Sequence, residues 1–479
     1  MSSYISPIPS DNVRFMVDEL NKLNTISPDK YTRFGVKRGL RNSDGTGVMA
    51  GLTRISSVDG YYIDDGEKVP KKGRLYYRGF NLNDIVSHCQ EENRFGFEEV
   101  VWLLIFGSLP TKEQIDKFSE ILAQSRTLPE DFIEDIIMKT PSPNIMNKLM
   151  RSVLAMYSYD ENPDDTSVEN IVRQSIQLIG QIPVIISYLY QVNRRYYDGK
   201  SMYIHSPKDN QSTAEAFLRS IRSDKFFKEE EAKLLDLCFM VHAEHGGGNN
   251  STFATRVLTS SGTDTYSAMA AGIGALKGPK HGGANLKVAQ MVNNIMENVD
   301  DFADEDKVAD YLTKIIRKEA NDRSGLVYGM GHAVYSLSDP RAVILKKEAK
   351  KFAEEKGYID KFNLLDTIER RTPEVFFKEK GIKKPICANV DLYSGLIYEM
   401  LGIPETLYTP LFTTARIAGW SAHRIEEITT GGKIIRPAYK SVSTRKDYVC
   451  LDDRMSKFVP ENNYIPFEER GIIKEDSEI

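Results

Sequence analysis

A helical spacing of apolar residues recurs in segment after segment of this chain, and it limits the fold more than any other feature. In LFTTARIAGWSAHRIEEI the apolar positions step by four and three residues along one stripe of an α-helix: Leu411, Ala415, Ala418, Ala422 and Ile425. The segment NLKVAQMVNNIMENV, which begins at Asn285, has the same spacing. Alternating strand patterns are scarce, and the best of them predicts a hairpin over 51–68. The sequence therefore predicts an all-α fold.

Two further segments carry the start and stop signals of helices. In DPRAVILKKEAKKFAEEKG, Asp339 is the predicted N-cap, Pro340 the first helical residue, and Gly357 the stop. In NVDLYSGLIYEMLGIP, the helix is predicted to end at Gly402, with Pro404 beyond it. These signals are local, so they predict helix boundaries without any knowledge of the fold.

The apolar run LIGQIPVIISYLY (178–190) is the most apolar part of the chain. It contains Gly180, Gln181 and Pro183, which we expect to break it, and it is too short to cross a bilayer. Residues 1–20 lack the pattern of a secretory signal or a mitochondrial presequence. The four cysteines have no CxxC spacing, which favours a reducing compartment. We therefore expect a soluble, cytoplasmic protein with no membrane partner.

The charge balance is mildly acidic, with 63 Lys and Arg against 68 Asp and Glu and a net charge of −5. A nucleic-acid-binding protein normally carries a basic stripe, so we expect no nucleic-acid partner. An anionic ligand would have to be held by local arginines. The length of 479 residues is enough for two or more hydrophobic cores.

Histidines in glycine-rich settings are the first candidates for chemistry. HAEHGGGN contains His242 and His245, which are predicted to face one side of a helix turn before the glycines end it. GPKHGGAN contains His281, and YGMGHAVYSLSDPR contains His332. Glycine beside a functional side chain is typical of a backbone that approaches a ligand closely. A single histidine is more often structural, and we assign His423 to packing or the surface, but three such segments favour a site.

A zinc site is the alternative interpretation of the first histidine pair. No third ligand lies within sequence reach of His242 and His245, and the spacing is not HExxH, so we predict no metal.

One carboxylate and three arginines complete the candidate set. Asp391 stands at the start of an apolar helix, where the alternative role is that of an N-cap. Arg341 lies in the first turn of its helix, Arg416 beside an apolar stripe, and Arg436 after GGKII. For each arginine the alternative is a surface position or a salt bridge.

Taken together and in this order, these segments resemble those of the citrate synthase family. The resemblance lies in HAEHGGGN, GPKHGGAN, GHAVYSLSDPRA, NVDLYSG, TPLFTTARIAGWSAH and IIRPAY, with GLTRISSVDG and LYYRGFNLNDI upstream. It implies a large and a small helical domain with the active-site cleft between them. We place the large domain at 1–286, the small domain at 287–388, and the return of the large domain, with a C-terminal arm, at 389–479.

The resemblance also implies an acyltransferase that condenses acetyl-CoA with oxaloacetate and then hydrolyses the thioester to give citrate and CoA. The alternative within the family is a 2-methylcitrate synthase that uses propionyl-CoA, and a remote alternative is a non-catalytic dimeric binding module. The CoA thioester is a substrate, and no tightly bound cofactor is expected. The family's homodimer implies that Arg436 reaches the partner's site.

The family's residue roles carry over onto matching positions of this sequence. The implied catalytic residues are Asp391, the base that takes the thioester α-proton, His281, the donor to the enol(ate) oxygen, and His332, which polarises the oxaloacetate ketone. The implied oxaloacetate-binding residues are His245, Arg341, Phe412, Arg416 and Arg436. The implied CoA-binding residues are Val327, Tyr328, Gly329 and Gly331.

The setting of His281 also fits this chemistry on physical grounds. An enolate must be stabilised as it forms by preorganised donors in a dry site. A neutral imidazole before a helix suits this role, because the helix dipole disfavours the imidazolium while N–H still donates.

Ser336 departs from relatives that place an arginine against a CoA phosphate. The candidates to replace it are Lys277, Lys280 and Lys287.

Overall fold

The structure, a computed structural model, describes residues 10–21, 26–42, 45–381, 384–443 and 445–454. The chain divides into two compact units, Met1–Ile434 and Ile435–Ile479. In the second unit the described residues are irregular apart from one 3-10 turn, Leu451–Asp453. The predicted domain boundaries within the first unit stay predictions, and the one at 286/287 falls inside a helix, Ala284–Asn298.

Helices dominate the described residues, as the sequence predicts. The α-helices are α1 Ser10–Asn21, α2 Pro28–Arg33, α3 Leu82–Glu91, α4 Phe97–Phe106, α5 Lys112–Gln124, α6 Ile145–Met156, α7 Val168–Tyr197, α8 Thr213–Ile221, α9 Glu229–His242, α10 Asn250–Ser260, α11 Thr265–Lys277, α12 Ala284–Asn298, α13 Glu305–Ile316, α14 Pro340–Lys356, α15 Ile359–Lys380, α16 Asp391–Met400 and α17 Tyr408–Thr429. Shorter turns of 3-10 or π type lie at Arg38–Leu40, Ile133–Met138, Tyr157–Tyr159 and Glu405–Leu407. The all-α class is confirmed.

The strands form one small antiparallel sheet, β1 Ser56–Asp64, β2 Glu67–Tyr77 and β3 Phe80–Asn81, in the order β1-β2-β3. A hairpin is confirmed, but its predicted range of 51–68 was too short, because β2 continues to Tyr77. Asp65 and Gly66 form the two-residue turn with φ of 46° and 83°, the left-handed pair that a tight hairpin of this kind requires. The register shifts between Asp59 and Tyr61, so Gly60 lies at an irregularity of β1.

Helix boundaries follow the local signals closely. Asp339 caps α14 by accepting the backbone N–H of Arg341, and Gly357 ends this helix with a left-handed φ of 78°. The apolar stripes predicted near Asn285 and Leu411 lie in α12 and α17. These predictions succeed because capping and periodicity depend on neighbouring residues alone.

The predicted break in the apolar run was wrong, because α7 continues for 30 residues through Gly180 and Pro183. The Ser187 hydroxyl donates to the Pro183 carbonyl at 2.8 Å. A Cβ atom at Gly180 would lie 3.0 Å from the carbonyl oxygen of Leu122, so the glycine permits close packing of α5. By length and composition α7 would also suit a membrane span, but 89% of its most apolar window is buried inside the protein. Its apolar character is that of a core helix.

The helix α17 lies at the centre of the first unit, where it packs against α4, α7, α9, α10 and α11. Three of the largest fully buried side chains of the described chain belong to it: Arg416, Trp420 and Arg424. The sequence predicts one buried stripe, but the structure buries nearly the whole circumference. A buried arginine must find hydrogen-bond acceptors, and this requirement leads to the candidate site.

Candidate active site

Two segments that are remote in sequence, one leading to His332 and the other to Asp391, pair with each other. The backbone N–H of Asn389 donates to the Gly329 carbonyl at 2.8 Å. The Asn389 side chain donates to the Gly331 carbonyl at 3.0 Å and accepts the backbone N–H of Asp391 at 3.0 Å. Asn389 therefore joins the residues that precede both candidates. Sequence reasoning missed it, although an asparagine two residues before a helix start was a usable signal.

The helix α16 begins at Asp391, so Val390 and not Asp391 occupies the N-cap position. The N-cap alternative was therefore wrong, since the Asn389 side chain accepts the first backbone N–H instead. Burial raises the pKa of Asp391 to about 6, although the positive charges of Arg341 and Arg416 oppose this rise. A carboxyl with a pKa close to neutrality is suited to general base catalysis.

The proton position on His332 follows from its hydrogen bonds. Its Nδ1 accepts the backbone N–H of Val334 at 3.0 Å and of Tyr335 at 3.1 Å. Burial, reinforced by the charge of Arg341, lowers the pKa of His332 to about 4. The ring is therefore neutral at pH 7, with its proton on Nε2. The His332 ring lies 5.1 Å from the ring of His245, centroid to centroid.

The candidate donor His281 lies in the turn between α11 and α12. Its Nε2 is 2.9 Å from the Ser251 hydroxyl, whose oxygen also accepts the Trp420 indole N–H at 3.3 Å. The single hydroxyl proton has two acceptors within reach, His281 Nε2 and Asn249 Oδ1. Burial, together with the charge of Arg416, lowers the pKa of His281 to about 4, so this ring is also neutral at pH 7.

The glycine after His281 is required by close packing. A Cβ atom at Gly282 would lie 2.5 Å from the carbonyl oxygen of Leu276, which is too close for any other residue without a backbone shift. The Gly282 N–H donates to that same carbonyl at 3.0 Å. The glycine thus lets the turn fold back tightly onto the end of α11 and fixes the backbone next to His281.

The side chain of Arg416 is fully buried, and its guanidinium is incompletely paired. Its Nε donates to the His242 carbonyl at 2.7 Å, but Nη1 and Nη2 have no hydrogen-bond partner in the described part of the chain. Burial lowers the pKa of Arg416 to about 10, which leaves it charged at pH 7. The Phe412 ring centroid lies 4.6 Å from its guanidinium carbon. Buried donors of this kind call for an anionic partner, since leaving them unsatisfied is costly.

The imidazole of His245 also has a nitrogen atom without a hydrogen-bond partner among the described residues. It is buried, and its Nε2 has no hydrogen-bond partner among the described residues. Burial and the nearby charge of Arg341 lower the pKa of His245 well below its usual range, so it is neutral. Neutral His245 and cationic Arg416 are near each other, and both have buried nitrogen atoms without a partner among the described residues.

The other candidate arginine of this unit, Arg341, is held in a buried ion pair. Arg341 donates from Nε and Nη2 to the two carboxylate oxygens of Asp339, at 3.0 and 2.7 Å. Both side chains are buried. The salt-bridge alternative is therefore correct for this arginine, and the pair uses the Nε–Nη2 edge of its guanidinium.

The predicted arrangement of His242 and His245 on one helix face was wrong. The helix α9 ends at His242, and His245 lies beyond it. His242 hydrogen-bonds the Cys238 carbonyl through Nδ1 at 2.7 Å, and its ring meets Phe412 edge-on with centroids 4.8 Å apart. The described residues contain no group of three or more metal-ligating side chains. His242 is thus a packed residue that supports Phe412.

Sequence reasoning did not connect His423 with the site. It is fully buried, accepts from Arg256 Nη1 through Nδ1 at 2.7 Å, and donates from Nε2 to Glu244 at 3.0 Å. Burial alone would raise the pKa of Glu244, but His423 and Arg416 outweigh it and lower the pKa to about 2. Ionised Glu244 therefore offsets part of the charge of Arg416.

The predicted CoA-binding residues lie between α13 and α14: Val327, Tyr328, Gly329 and Gly331. The Tyr328 hydroxyl donates to Asp322 at 2.6 Å, and Lys287 Nζ lies 3.4 Å from the same carboxylate. Lys287 is therefore beside this segment, whereas Lys277 and Lys280 are exposed near His281. Ser336 is buried.

Both glycines of this segment have left-handed backbone conformations, with φ of 82° at Gly329 and 86° at Gly331. A Cβ atom at Gly329 would also lie 3.1 Å from the Cα of Leu392.

Arg436 belongs to the second unit, where its side chain is exposed, so its predicted role stays a prediction.

The fold and the site together define a class of protein, an all-α protein with an incompletely paired buried arginine, a carboxyl group of raised pKa and neutral imidazoles. A family profile described as citrate synthase, C-terminal domain, matches residues 42–438. The chain is 33% identical over 426 residues to the citrate synthase of Haloferax volcanii, which covers 88% of this chain and 99% of that protein. It is 31% identical over 417 residues to 2-methylcitrate synthase 1 of Corynebacterium glutamicum, covering 86% and 97%.

A solved structure gives the same result. The ternary complex of Thermoplasma acidophilum citrate synthase with carboxymethyl coenzyme A and oxaloacetate aligns with a TM-score of 0.70 and 27% identity, covering 84% of this chain and 97% of that one. This chain belongs to the citrate synthase family, and it is a transferase-type enzyme.

Proposed function

We propose that this enzyme condenses acetyl-CoA with oxaloacetate and hydrolyses the resulting citryl-CoA to citrate and CoA. The observation that carries the proposal is the fully buried Arg416, whose Nη1 and Nη2 find no partner in the described chain. A carboxylate matches two parallel N–H donors of a guanidinium, which makes an anionic substrate the natural partner.

Oxaloacetate has two carboxylates and one ketone, and the site offers donors for each. Arg416 and Nη1 of Arg341 bind the carboxylates, and Nε2 of His245 donates a further hydrogen bond. The Nε2–H of His332 donates to the ketone oxygen and draws electron density from the ketone carbon. Phe412 borders the bound substrate through its contact with Arg416.

The acetyl group then reacts in three steps. Asp391 takes a proton from the α-carbon of the thioester, while His281 donates a hydrogen bond to the thioester oxygen as the enol(ate) forms. We assign the Ser251 hydroxyl proton to His281 Nε2, which places the imidazole proton on Nδ1, the nitrogen left to donate. The α-carbon attacks the polarised ketone carbon, a C–C bond forms, and the ketone oxygen takes up a proton. Water then cleaves the thioester C–S bond and releases CoA.

The proposal includes the surroundings of this chemistry. The CoA moiety lies along Val327–Gly331, whose glycines allow close backbone approach, with Lys287 beside it. The enzyme acts as a cytoplasmic homodimer in which Arg436 of one subunit reaches the site of the other. These parts rest on the family resemblance of the quoted segments, and the hybrid-dimer experiment in the Discussion addresses the last of them.

Thiol release tests the reaction and the acyl donor together. Purified enzyme is mixed with oxaloacetate and either acetyl-CoA or propionyl-CoA, and free CoA is followed with a thiol reagent; omission of oxaloacetate controls for simple thioester hydrolysis. We expect kcat/KM to favour acetyl-CoA by about 10–200-fold, the range available to one methyl group. A preference for propionyl-CoA would assign the enzyme as a 2-methylcitrate synthase. If neither donor gives oxaloacetate-dependent thiol release, the result supports the alternative of a non-catalytic binding module.

A further inference from the structure

The hairpin of β1 and β2 lies directly against the loop that follows His332. The Tyr335 hydroxyl donates to the Arg74 carbonyl at 3.3 Å. The Gly73 backbone N–H donates to the Ser338 hydroxyl at 3.2 Å. In a helical protein, this small sheet thus makes its contacts beside a predicted catalytic histidine.

Two glycines of the hairpin make this contact possible. A Cβ atom at Gly73 would lie 2.1 Å from the Ser338 carbonyl oxygen and 2.6 Å from the Tyr335 ring. At Gly60 it would lie 2.9 Å from the Val334 carbonyl oxygen and 3.0 Å from the same ring. Neither glycine has a left-handed φ. Close approach of the loop, and not backbone conformation, is therefore what requires glycine at both positions.

The Tyr335 ring, which contacts the hairpin, also contacts His332. Only 1% of Tyr335 is exposed, and its ring stacks on the His332 imidazole with centroids 4.7 Å apart and an interplanar angle of 25°. The Tyr335 backbone N–H also donates to His332 Nδ1 at 3.1 Å. The hairpin, the tyrosine and the imidazole therefore form one packed stack, and a shift of the tyrosine tilts the imidazole.

We propose that Gly60 and Gly73 are positioning residues, which seat Tyr335 so that the Nε2–H of His332 points at the oxaloacetate ketone. The inference rests on the proposed function, in which His332 polarises that ketone. It assigns a positioning role in catalysis to the hairpin. A misplacement of about 1 Å in a catalytic group is enough to lower turnover by about 100-fold.

The test compares Gly73→Ala and Gly60→Ala with a matched control, Gly51→Ala. Gly51 has no atom within 4 Å of its would-be Cβ and has no left-handed φ, so alanine is accommodated there. The readout is the stretching frequency of the bound oxaloacetate ketone, measured by isotope-edited infrared difference spectroscopy. This frequency falls when the carbonyl is polarised, and a purely structural role of the glycines would not change it in folded enzyme.

We expect wild type and Gly51→Ala to lower the ketone frequency equally. Gly73→Ala is expected to lose most of that shift and to lower kcat by about 10–100-fold, with KM for acetyl-CoA changed by less than about threefold. Gly60→Ala, whose overlap is smaller, is expected to have the same effect to a lesser degree. Tyr335→Leu removes the stacked ring without adding a clash and should also lose the shift, whereas Tyr335→Phe keeps the ring and should retain it.

The outcomes separate this inference from the proposed function. An active wild type whose ketone shift is unchanged in folded Gly60→Ala and Tyr335→Leu would overturn the positioning role alone. If Gly73→Ala does not fold, the other two variants decide the question. A wild type that neither releases thiol nor shifts the ketone frequency would overturn the proposed function, and the inference with it.

Discussion

The charge of Arg416 reaches three of the candidate site groups. Its charge contributes to the lowered pKa of His281 and His245 and opposes the raised pKa of Asp391. A substrate carboxylate bound to its Nη atoms would neutralise that charge. We therefore expect oxaloacetate to raise the pKa of Asp391 further, so that the base becomes stronger once the first substrate is bound.

The substitution Asp391→Asn separates catalysis from binding at the residue scale. The amide keeps the size of the side chain but cannot accept a proton, so turnover is expected to fall by about 10²–10⁴-fold. Oxaloacetate affinity is expected to stay nearly unchanged, as measured by isothermal titration calorimetry. Asp360→Asn is the matched control, because Asp360 also lies in the first turn of a helix but is exposed. An equal loss of binding and turnover would assign Asp391 a structural role.

For the same variant we predict a gain in stability whose size depends on pH. The pKa of Asp391 is raised from 3.8 to about 6, so between these values the folded protein binds more protons than the unfolded chain. Stability therefore falls as pH rises through this window, and the ionised carboxylate is a cost at neutral pH. Asp391→Asn removes that cost, and we expect a gain in unfolding free energy on the order of 1–3 kcal/mol at neutral pH. Urea unfolding should show a smaller gain at about pH 4.5.

At the scale of elements, the geometry of the site depends on how closely α17 packs against the segment that follows α9. A Cβ atom at Gly419 would lie 2.5 Å from the Ala243 carbonyl oxygen, and it would also overlap the Glu244 carboxylate. The glycine thus lets the helix that carries Arg416 lie directly on the segment that leads to His245. The spacing between the two predicted oxaloacetate ligands depends on this contact.

The substitution Gly419→Ala tests that contact. Alanine is the better helix former, so propensity alone predicts a gain of about 0.5–1 kcal/mol. The clash with a backbone carbonyl acts in the opposite direction, and we expect a net loss of about 1–3 kcal/mol in unfolding free energy, together with weaker oxaloacetate binding. Gly248→Ala is the control for stability, since nothing lies within 4 Å of its would-be Cβ. A Gly419→Ala protein as stable as wild type would show that α17 has room to move.

The homodimer proposal makes a prediction at the scale of the whole molecule. Arg416→Ala and Arg436→Ala are each expected to lose activity while they stay folded. If Arg436 acts in the site of the partner subunit, a hybrid dimer contains one site with both arginines intact. Mixing the two inactive proteins under conditions of subunit exchange should therefore restore up to about one quarter of wild-type activity for random exchange. Absence of rescue after exchange, verified by mass spectrometry, would place both arginines in the same subunit's site.

The sequence by itself determined the local structure and the candidate chemistry. The limits of α14 were predictable from Asp339, Pro340 and Gly357, because a cap or a left-handed stop acts on the adjacent turn. The tight turn at Asp65 and Gly66 was predictable for the same reason. The motif segments also selected most of the side chains that now lie near one another, since glycine beside histidine marks a close approach.

Tertiary structure alone decided how these pieces work. The helix α7 runs through Pro183 because packing outweighs a local break signal. Asn389 joins the segments that carry His332 and Asp391 through bonds to Gly331, which lies 58 residues away in the chain. Burial moves the pKa of Asp391 to about 6 and leaves the Nη atoms of Arg416 without a partner among the described residues. Burial is set by neighbours remote in sequence. Periodicity and capping are short-range effects, whereas desolvation and hydrogen-bond satisfaction depend on the whole fold.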